Sequence, residues 1–355
     1  MADTKKLTDA LERSTAKITM FADGFVDEVW EIINTRATLK DYTLYTRMNQ
    51  FADRITSSGS GGVGLELVKK RRAFGGFTAN IGYAAARLGV DTAMVGVFGK
   101  DKLDPVFEEV GELCRVFSVD DPSVTHVFEF DDGKILMSHM ETVQEVSWKS
   151  IVDKLGIDKV KALLAESDIL GVGYWSLLPA FDEILEGVCA NIPDDGKKRR
   201  FFFDFADFRK KDEASLNSTL ANLRRLNDKF PMMLSVNEHE GATLFELYNE
   251  TFDNVGRPIQ EKTEHVRKQL GLDEFIIHAP NYAVAASSEE APAFAESIFC
   301  EKPIRTAGAG DTFNGGYISA KLAGLGIQDR LHVANAAVGY FIRNAAFPEI
   351  KNLMF

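Results

Sequence analysis

The sequence predicts an α/β fold: a parallel sheet covered by helices on both faces, with a smaller β-rich lid. Three observations predict it. Apolar strand-like runs alternate with amphipathic helical runs along most of the chain. Glycines lead into two of the helical runs. Two stretches, 28–72 and 115–147, break the alternation and project as a lid.

The elements follow in order. "KITMFADGFV" reads as a short buried strand and a turn. "LYTRMNQFADRIT" reads as a helix and "SSGSGGVG" as a flexible loop, both in the first lid stretch. In "NIGYAAARLGV", Ile81, Ala84, Ala85 and Leu88 fall on one helical face, and Gly89 sits where a glycine ends a helix. "DTAMVGVFG" returns as a strand. Residues 115–147 alternate like antiparallel strands around a "DDGK" hairpin turn. Then "DILGVGYWS", "RRFFFDF", "MMLSVN" and "FIIHAP" read as strands, separated in part by the helices "AFDEILEGVCANI" and "LNSTLANLRRLNDKF". "DTFNGGYISAKLAG" and "DRLHVANAAVGYFIRNAA" close the chain as helices.

A chain of 355 residues is long enough for one large domain or two smaller ones with a sizeable core. Its 45% hydrophobic and 26% charged content is that of a soluble protein. A net charge of -12 disfavours binding to nucleic acid or to an anionic membrane, while leaving room for a local phosphate pocket built from backbone N–H groups. The cysteines, Cys114, Cys189 and Cys300, form no paired motif, which fits reduced thiols in a cytoplasmic protein. The N-terminal stretch is polar, and no run is long and apolar enough to span a bilayer. "KKRR" occurs at 69–72 and 197–200, and both copies read as solvated flanks.

The chemistry centres on "TAGAGDTFNGGY". Small residues ending at a helix start leave the first N–H groups bare, and those groups with the helix dipole attract phosphate. Asp311 beside them is placed to take a proton from an attacking hydroxyl. Capping alone does not explain Gly308 and Gly310, nor Gly315 and Gly316, which cost roughly 1 kcal/mol each inside a helix. "NEHE" has capping-box spacing, and Glu240 could equally hold a water on Mg²⁺. Gly75 and Gly76 precede a helix carrying Asn80, and Asp27 follows the first strand, where α/β sheets bind ligands. Gly59–Gly64 spell G-x-G-x-x-G but lack the strand before and the helix after, so they are read as loop.

Together these segments resemble the ribokinase/PfkB family of sugar and nucleoside kinases. "GGFTANIGYAAARLGVDTAMVGVFGKD" is similar to its N-terminal signature, "TAGAGDTFNGGYISAKLAG" to its C-terminal signature and "NEHE" to its N-x-x-E metal motif. The resemblance implies a Rossmann-like, three-layer α/β/α fold with a β lid: core over 1–27, 73–114 and 148–355, lid over 28–72 and 115–147. It implies Asp311 as catalytic base and Gly308, Ala309 and Gly310 as the anion hole. Asp27, Gly75, Gly76, Asn80 and, by a looser match, Arg209 would bind the sugar. Asn237, His278, Thr306 and Asn335 would lie at the nucleotide, and Asn237 and Glu240 would organise Mg²⁺ through water. Arg305 stands where the family usually has an aspartate that helps a monovalent-cation site, which counts against potassium activation.

The expected activity is therefore ATP-dependent phosphorylation of a sugar hydroxyl. His278 and Tyr282 look somewhat like the ADP-dependent sugar kinases, which keeps ADP open as the donor. A nucleoside kinase would instead line a base pocket with Tyr42, Tyr45, Phe128 and Phe130. A non-catalytic sugar or nucleotide sensor is a third reading, opposed by the intact Asp311 and glycine run. The resemblance leaves a homodimer through the lid open.

Overall fold

The structure, a computed structural model, describes residues 3–297 and 299–355. The first strands are β1 (Lys17–Phe21), β2 (Phe25–Arg36), β3 (Tyr42–Leu44), β4 (Glu66–Gly75), β5 (Asp91–Val97), β6 (Arg115–Asp120), β7 (Ser123–Phe130) and β8 (Gly133–His139). They are followed by β9 (Ile169–Gly173), β10 (Arg200–Asp204), β11 (Met232–Asn237), β12 (Glu274–His278), β13 (Tyr282–Ser287) and β14 (Ala293–Glu296).

Nine strands make the main sheet, in the order β14-β13-β12-β11-β10-β9-β1-β5-β6. From β6 to β12 every adjacent pair is parallel. β13 and β14 are antiparallel, so the sheet is mixed where a parallel one was expected. The cause is loop length: the short link from His278 to Tyr282 closes a hairpin but cannot carry a crossover. Strand β10 shows why the sheet needs cover on both faces. Phe201 and Phe203 enter one apolar cluster and Phe202 the opposite one.

The lid is a second sheet, β3-β2-β7-β8, with β4 on the other side of β2. It differs from expectation in two ways. Residues 115–120 belong to the main sheet as β6, because the helix Glu108–Leu113 returns the chain to that sheet's edge. And β2 pairs with β7 in parallel, while the hairpin β7–β8 is antiparallel as predicted. The helix Met48–Thr56 covers the lid, where Phe51 packs with Ile32 and Tyr45, against Phe128, Phe130 and Ile135. Three of the four aromatics assigned to a nucleoside-base pocket are thus the lid's own core, and Tyr42 lies under the Arg36 guanidinium.

Both basic runs are ion-paired rather than merely solvated. Lys69, Lys70, Arg71 and Arg72 on edge strand β4 meet Glu28, Glu31, Glu129 and Asp104. Lys197 and Lys198 pair with Asp168 and Glu289, and buried Arg199 with Asp195. Among the described residues no helix is long and apolar enough to cross a membrane.

The helix Ala309–Leu322 is the element that positions the site. It lies between the helices Phe77–Arg87 and Ile327–Asn344. A Cβ on Gly315 would sit 2.5 Å from the Cβ of Ala84, and one on Gly316 would sit 3.0 Å from the Cα of Ala334. These two glycines make room for neighbouring helices, not for a ligand. Alanine at Gly315 gains about 1 kcal/mol of helix propensity. Overpacking costs about 1–3 kcal/mol and wins, because the obstacle is a backbone-anchored methyl. Urea unfolding of Gly315→Ala is expected to show a net loss of stability. Gly62→Ala, in the open lid loop, is the control and should lie within about 0.5 kcal/mol of the parent.

Candidate active site

The carboxyl edge of the main sheet collects the polar residues. β1 leads to Asp23, β9 to Tyr174, β10 ends at Asp204, β11 at Asn237 and β12 at His278. Ligands bind at this edge in open α/β sheets. Two helices begin there. Asp23 accepts the N–H groups of Phe77 and Thr78, capping the first of them from another strand. Gly76 before it has φ 92°, and a Cβ there would strike the Asp23 carboxylate. Gly308, with φ 86°, starts the second.

Asp311 lies in the first turn of that second helix and is 6% exposed. Its Oδ2 accepts from Asn80 Nδ2 at 2.8 Å, and its Oδ1 accepts from the Tyr174 hydroxyl at 2.7 Å. Burial and the nearby Asp204 push its carboxyl up to about 8, against the two hydrogen bonds. The N–H of Ala309 closes a turn onto the Thr306 carbonyl, at 3.1 Å. Among the described residues the N–H groups of Gly308, Gly310 and Asp311 at this helix start find no partner, so Ala309 drops out of the expected trio.

Two cavities meet at this turn. One, of about 460 Å³, is lined by Asp27, Gly76, Asn80, Lys134, Tyr174 and Asp311, with apolar wall from Phe25, Leu136 and Leu177. The other, of about 480 Å³, is mainly apolar and is lined by Asn237, His278, Thr306, Phe313, Asn335 and Val338, with Ala309 and Gly310 at its end. Each holds a buried polar atom with no hydrogen-bond partner among the described residues: Asn80 Oδ1 in the first, His278 Nε2 in the second. Burial drives His278 down to about 4, so its ring is neutral at physiological pH. A larger hollow, about 580 Å³, opens at the opposite sheet edge, but its Lys17 and Lys197 are paired with Glu166 and Asp168.

A fourth hollow, of about 400 Å³, is lined by Asp207, Arg209, Asn237 and Glu240. Asn237 and Glu240 do form the capping box: Asn237 Oδ1 accepts from the Glu240 N–H, and Glu240 Oε2 from the Asn237 N–H. Glu240 Oε1 makes no hydrogen bond among the described residues. Burial pushes Glu240 up to about 7 and Asp204 up to about 8, the latter raised further by Glu240. Among the described residues no three His, Cys, Asp or Glu groups converge on a metal position.

The sequence-predicted residues divide accordingly. Asp27, Gly76, Asn80, Gly308 and Asp311 meet in the polar cavity. Asn237, His278, Thr306 and Asn335 meet in the apolar one, where Asn335 also donates to the Glu296 carbonyl. Gly75 does not line the cavity. A Cβ there would come within 2.9 Å of the Asp27 carboxylate, so it clears space for that side chain. Arg209 is not in the polar cavity either. Asp207 caps the short turn Phe208–Lys210 and clamps the exposed guanidinium. Tyr282 stacks on Phe294 and lines neither cavity. Asp23, Lys134, Tyr174 and Asp204 were missed. The signal for Asp23, Tyr174 and Asp204 was a polar residue just at or after a strand's carboxyl end. Lys134 had only its place in the "DDGK" turn.

Comparison with known proteins agrees with this geometry. The prokaryotic ketohexokinase family model matches residues 4–355. A curated ketohexokinase from Haloferax volcanii is 26% identical over 93% of this chain and 88% of its own length. Two solved structures share the fold. A protein described as a putative ribokinase II from Escherichia coli, in complex with ATP and Mg²⁺, has a TM-score of 0.64 at 13% identity, covering 96% of both chains. Arabidopsis thaliana ribokinase complexed with ribose and ATP has a TM-score of 0.62 at 16% identity, covering 95% of this chain and 97% of its own. A buried carboxylate on a helix start where two cavities meet, on a fold shared with sugar kinases, fits the family match: this chain belongs to the prokaryotic ketohexokinase family of ribokinase-like sugar kinases, phosphotransferases with an alcohol group as acceptor.

Proposed function

We propose that this enzyme transfers the γ-phosphoryl group of ATP to a hydroxyl of a ketohexose, with fructose the first substrate to test, and that Asp311 is the base. One observation carries the reading: the Asp311 carboxylate lines a polar cavity sized for a sugar, on the same helix start whose Ala309 and Gly310 close an apolar cavity sized for a nucleoside. The ketohexose follows from the family and from the name of the curated relative.

The residues divide the work as follows. The orphan Asn80 Oδ1 accepts from a sugar hydroxyl while its Nδ2 holds Asp311. Asp27, facing the same cavity, accepts further sugar hydroxyls. Asn80 and Tyr174 fix the Asp311 carboxylate and leave it a lone pair for the attacking hydroxyl's proton. The bare N–H groups of Gly308, Gly310 and Asp311, with the helix dipole, stabilise charge on the phosphoryl oxygens. The apolar cavity takes the nucleoside, and neutral His278 offers Nε2 there. ATP is favoured over ADP by the G-A-G-D-T-F stretch. The lid excludes water that would otherwise accept the phosphoryl group.

Glu240 and Asp204 fit a Mg²⁺ site. They are carboxylates whose protons burial holds on, Glu240 adding to the rise at Asp204 and Asp207 to that at Glu240, a strain that a divalent cation relieves. Two protein carboxylates suit Mg²⁺, which keeps waters and takes phosphate oxygens for its remaining positions. When bound, the ion neutralises charge on the phosphoryl oxygens.

Two outcomes test the base. Asp311→Asn should lower kcat by about 10²–10⁴ and still bind fructose by calorimetry. Near-parental turnover in a folded variant would remove Asp311 from the chemistry. The pH profile has a definite sign. Asp311 acts only when ionised, and its carboxyl is held up near 8, so kcat/KM for fructose should climb through neutral pH and level off above about 8. Tyr174→Phe removes a hydrogen bond that favours the carboxylate. Its rising limb should therefore move to higher pH; a limb that stays or moves down contradicts the role given to the phenol.

A further inference from the structure

The phosphate seat drawn so far is all backbone. His278, at the end of β12, brings a side chain beside it. Its ring is held against two residues of the helix Ala309–Leu322. The Phe313 ring lies next to it, with centroids 5.1 Å apart and planes at 40°. At Gly310 the approach is closer. A Cβ there would stand 3.0 Å from His278 Cε1, 3.4 Å from Nε2 and 3.9 Å from Nδ1. The Cε1–Nε2 edge of the ring therefore faces the helix start, and the glycine lets it come that near. Nε2 is buried, and neither ring nitrogen makes a hydrogen bond among the described residues.

A buried polar atom left unpaired costs stability, and one that lines a cavity points to a ligand that answers it. Which part of the nucleotide answers Nε2 follows from its neighbours. The Gly310 N–H is one of the groups at this helix start that find no partner among the described residues. Such groups, with the helix dipole, draw anionic oxygen. The apolar wall that suits a nucleobase comes instead from Val338 and Ile342, on the helix Ile327–Asn344.

We propose that His278 is a phosphate-binding residue of the kinase: its Nε2–H donates to a non-bridging phosphate oxygen of the donor nucleotide, beside the N–H of Gly310. The inference rests on the reading of the apolar cavity as the nucleotide site, and it assigns His278 to the phosphate chain and not to the base.

The chemistry of the ring fits the role. A neutral imidazole donates from one nitrogen and accepts at the other, and the partner that arrives decides which. No described protein group engages either nitrogen, so the proton is free to sit on Nε2 when an oxygen approaches. Burial keeps the ring neutral until then, so the donor is offered without an unpaired buried charge. The contacts to Gly310 and Phe313 hold it in place beforehand, as a preorganised donor requires. Gly310 thus does two things: it leaves its own N–H to the phosphate and admits the ring that supplies a further donor.

The test measures KM for ATP at saturating fructose, and the inhibition constant of adenosine competing with ATP, in wild type and in His278→Ala, His278→Gln and His278→Asn. His278→Ala should raise KM for ATP about tenfold or more, the effect of losing a hydrogen bond to a charged group, and leave the inhibition constant of adenosine unchanged. The amide nitrogen of His278→Gln reaches the place of Nε2 and should recover most of the loss. That of His278→Asn reaches only the place of Nδ1 and should not. An unchanged KM for ATP in His278→Ala overturns the inference. So does an equal loss for ATP and adenosine, which would mark a base contact or a packing role, and so does a glutamine variant no better than alanine. Adenosine that fails to compete with ATP in the wild type overturns the nucleotide reading of the cavity instead, so the two failures are told apart.

Discussion

The close approach of two helices at Gly315 is the constraint on which the site depends. Without a side chain there, the helix Ala309–Leu322 comes against Ala84 and the Ile81 carbonyl of the helix Phe77–Arg87. Both helices then start at the same edge of the sheet. Asn80, in the first turns of one, reaches Asp311, in the first turn of the other. That single hydrogen bond joins the two helix starts across the polar cavity. A bulkier contact would separate the two helix starts, and with them Asn80 and Asp311.

Electrostatics gives the second layer. Asp23, Asp204, Glu240 and Asp311 are carboxyls gathered and buried at one edge, and burial raises all four. A purely structural core would not retain such a set, because each buried charge costs free energy unless paired. Asp23 is answered by two backbone N–H groups, and Asp311 by an amide and a phenol. Asp204 is answered by the Ala206 N–H and the Asn314 amide, and Glu240 by the Asn237 N–H; burial still raises both, and perturbed carboxyls gathered in one place mark a candidate functional site.

Much of this was legible in the sequence. The α/β alternation, the lid helix and the "DDGK" hairpin follow from local patterns that tertiary packing did not override. So did Asp311 with its glycines, because a tiny-residue run at a helix start has few uses besides close approach. What escaped depended on distant partners. Gly315 and Gly316 looked like ligand space, since a sequence cannot say that the close neighbour is Ala84 or Ala334. Arg209 was matched to the sugar site because its clamp to Asp207 is a matter of side-chain geometry. Tyr174 and Asp204 carry ordinary strand-end positions, and only the sheet order brings them to Asp311. The antiparallel edge β12–β14 was hidden by a run, "FIIHAPNYAVAAS", whose short turn lacks glycine.

The most direct measurement of the central claim is a crystal structure with fructose, Mg²⁺ and a non-hydrolysable ATP analogue bound together. The account predicts one ketose hydroxyl within hydrogen-bond reach of an Asp311 carboxylate oxygen, with the terminal phosphate on the N–H groups of Gly308, Gly310 and Asp311. A sugar bound with no hydroxyl near Asp311, or a terminal phosphate seated away from that helix start, would contradict it.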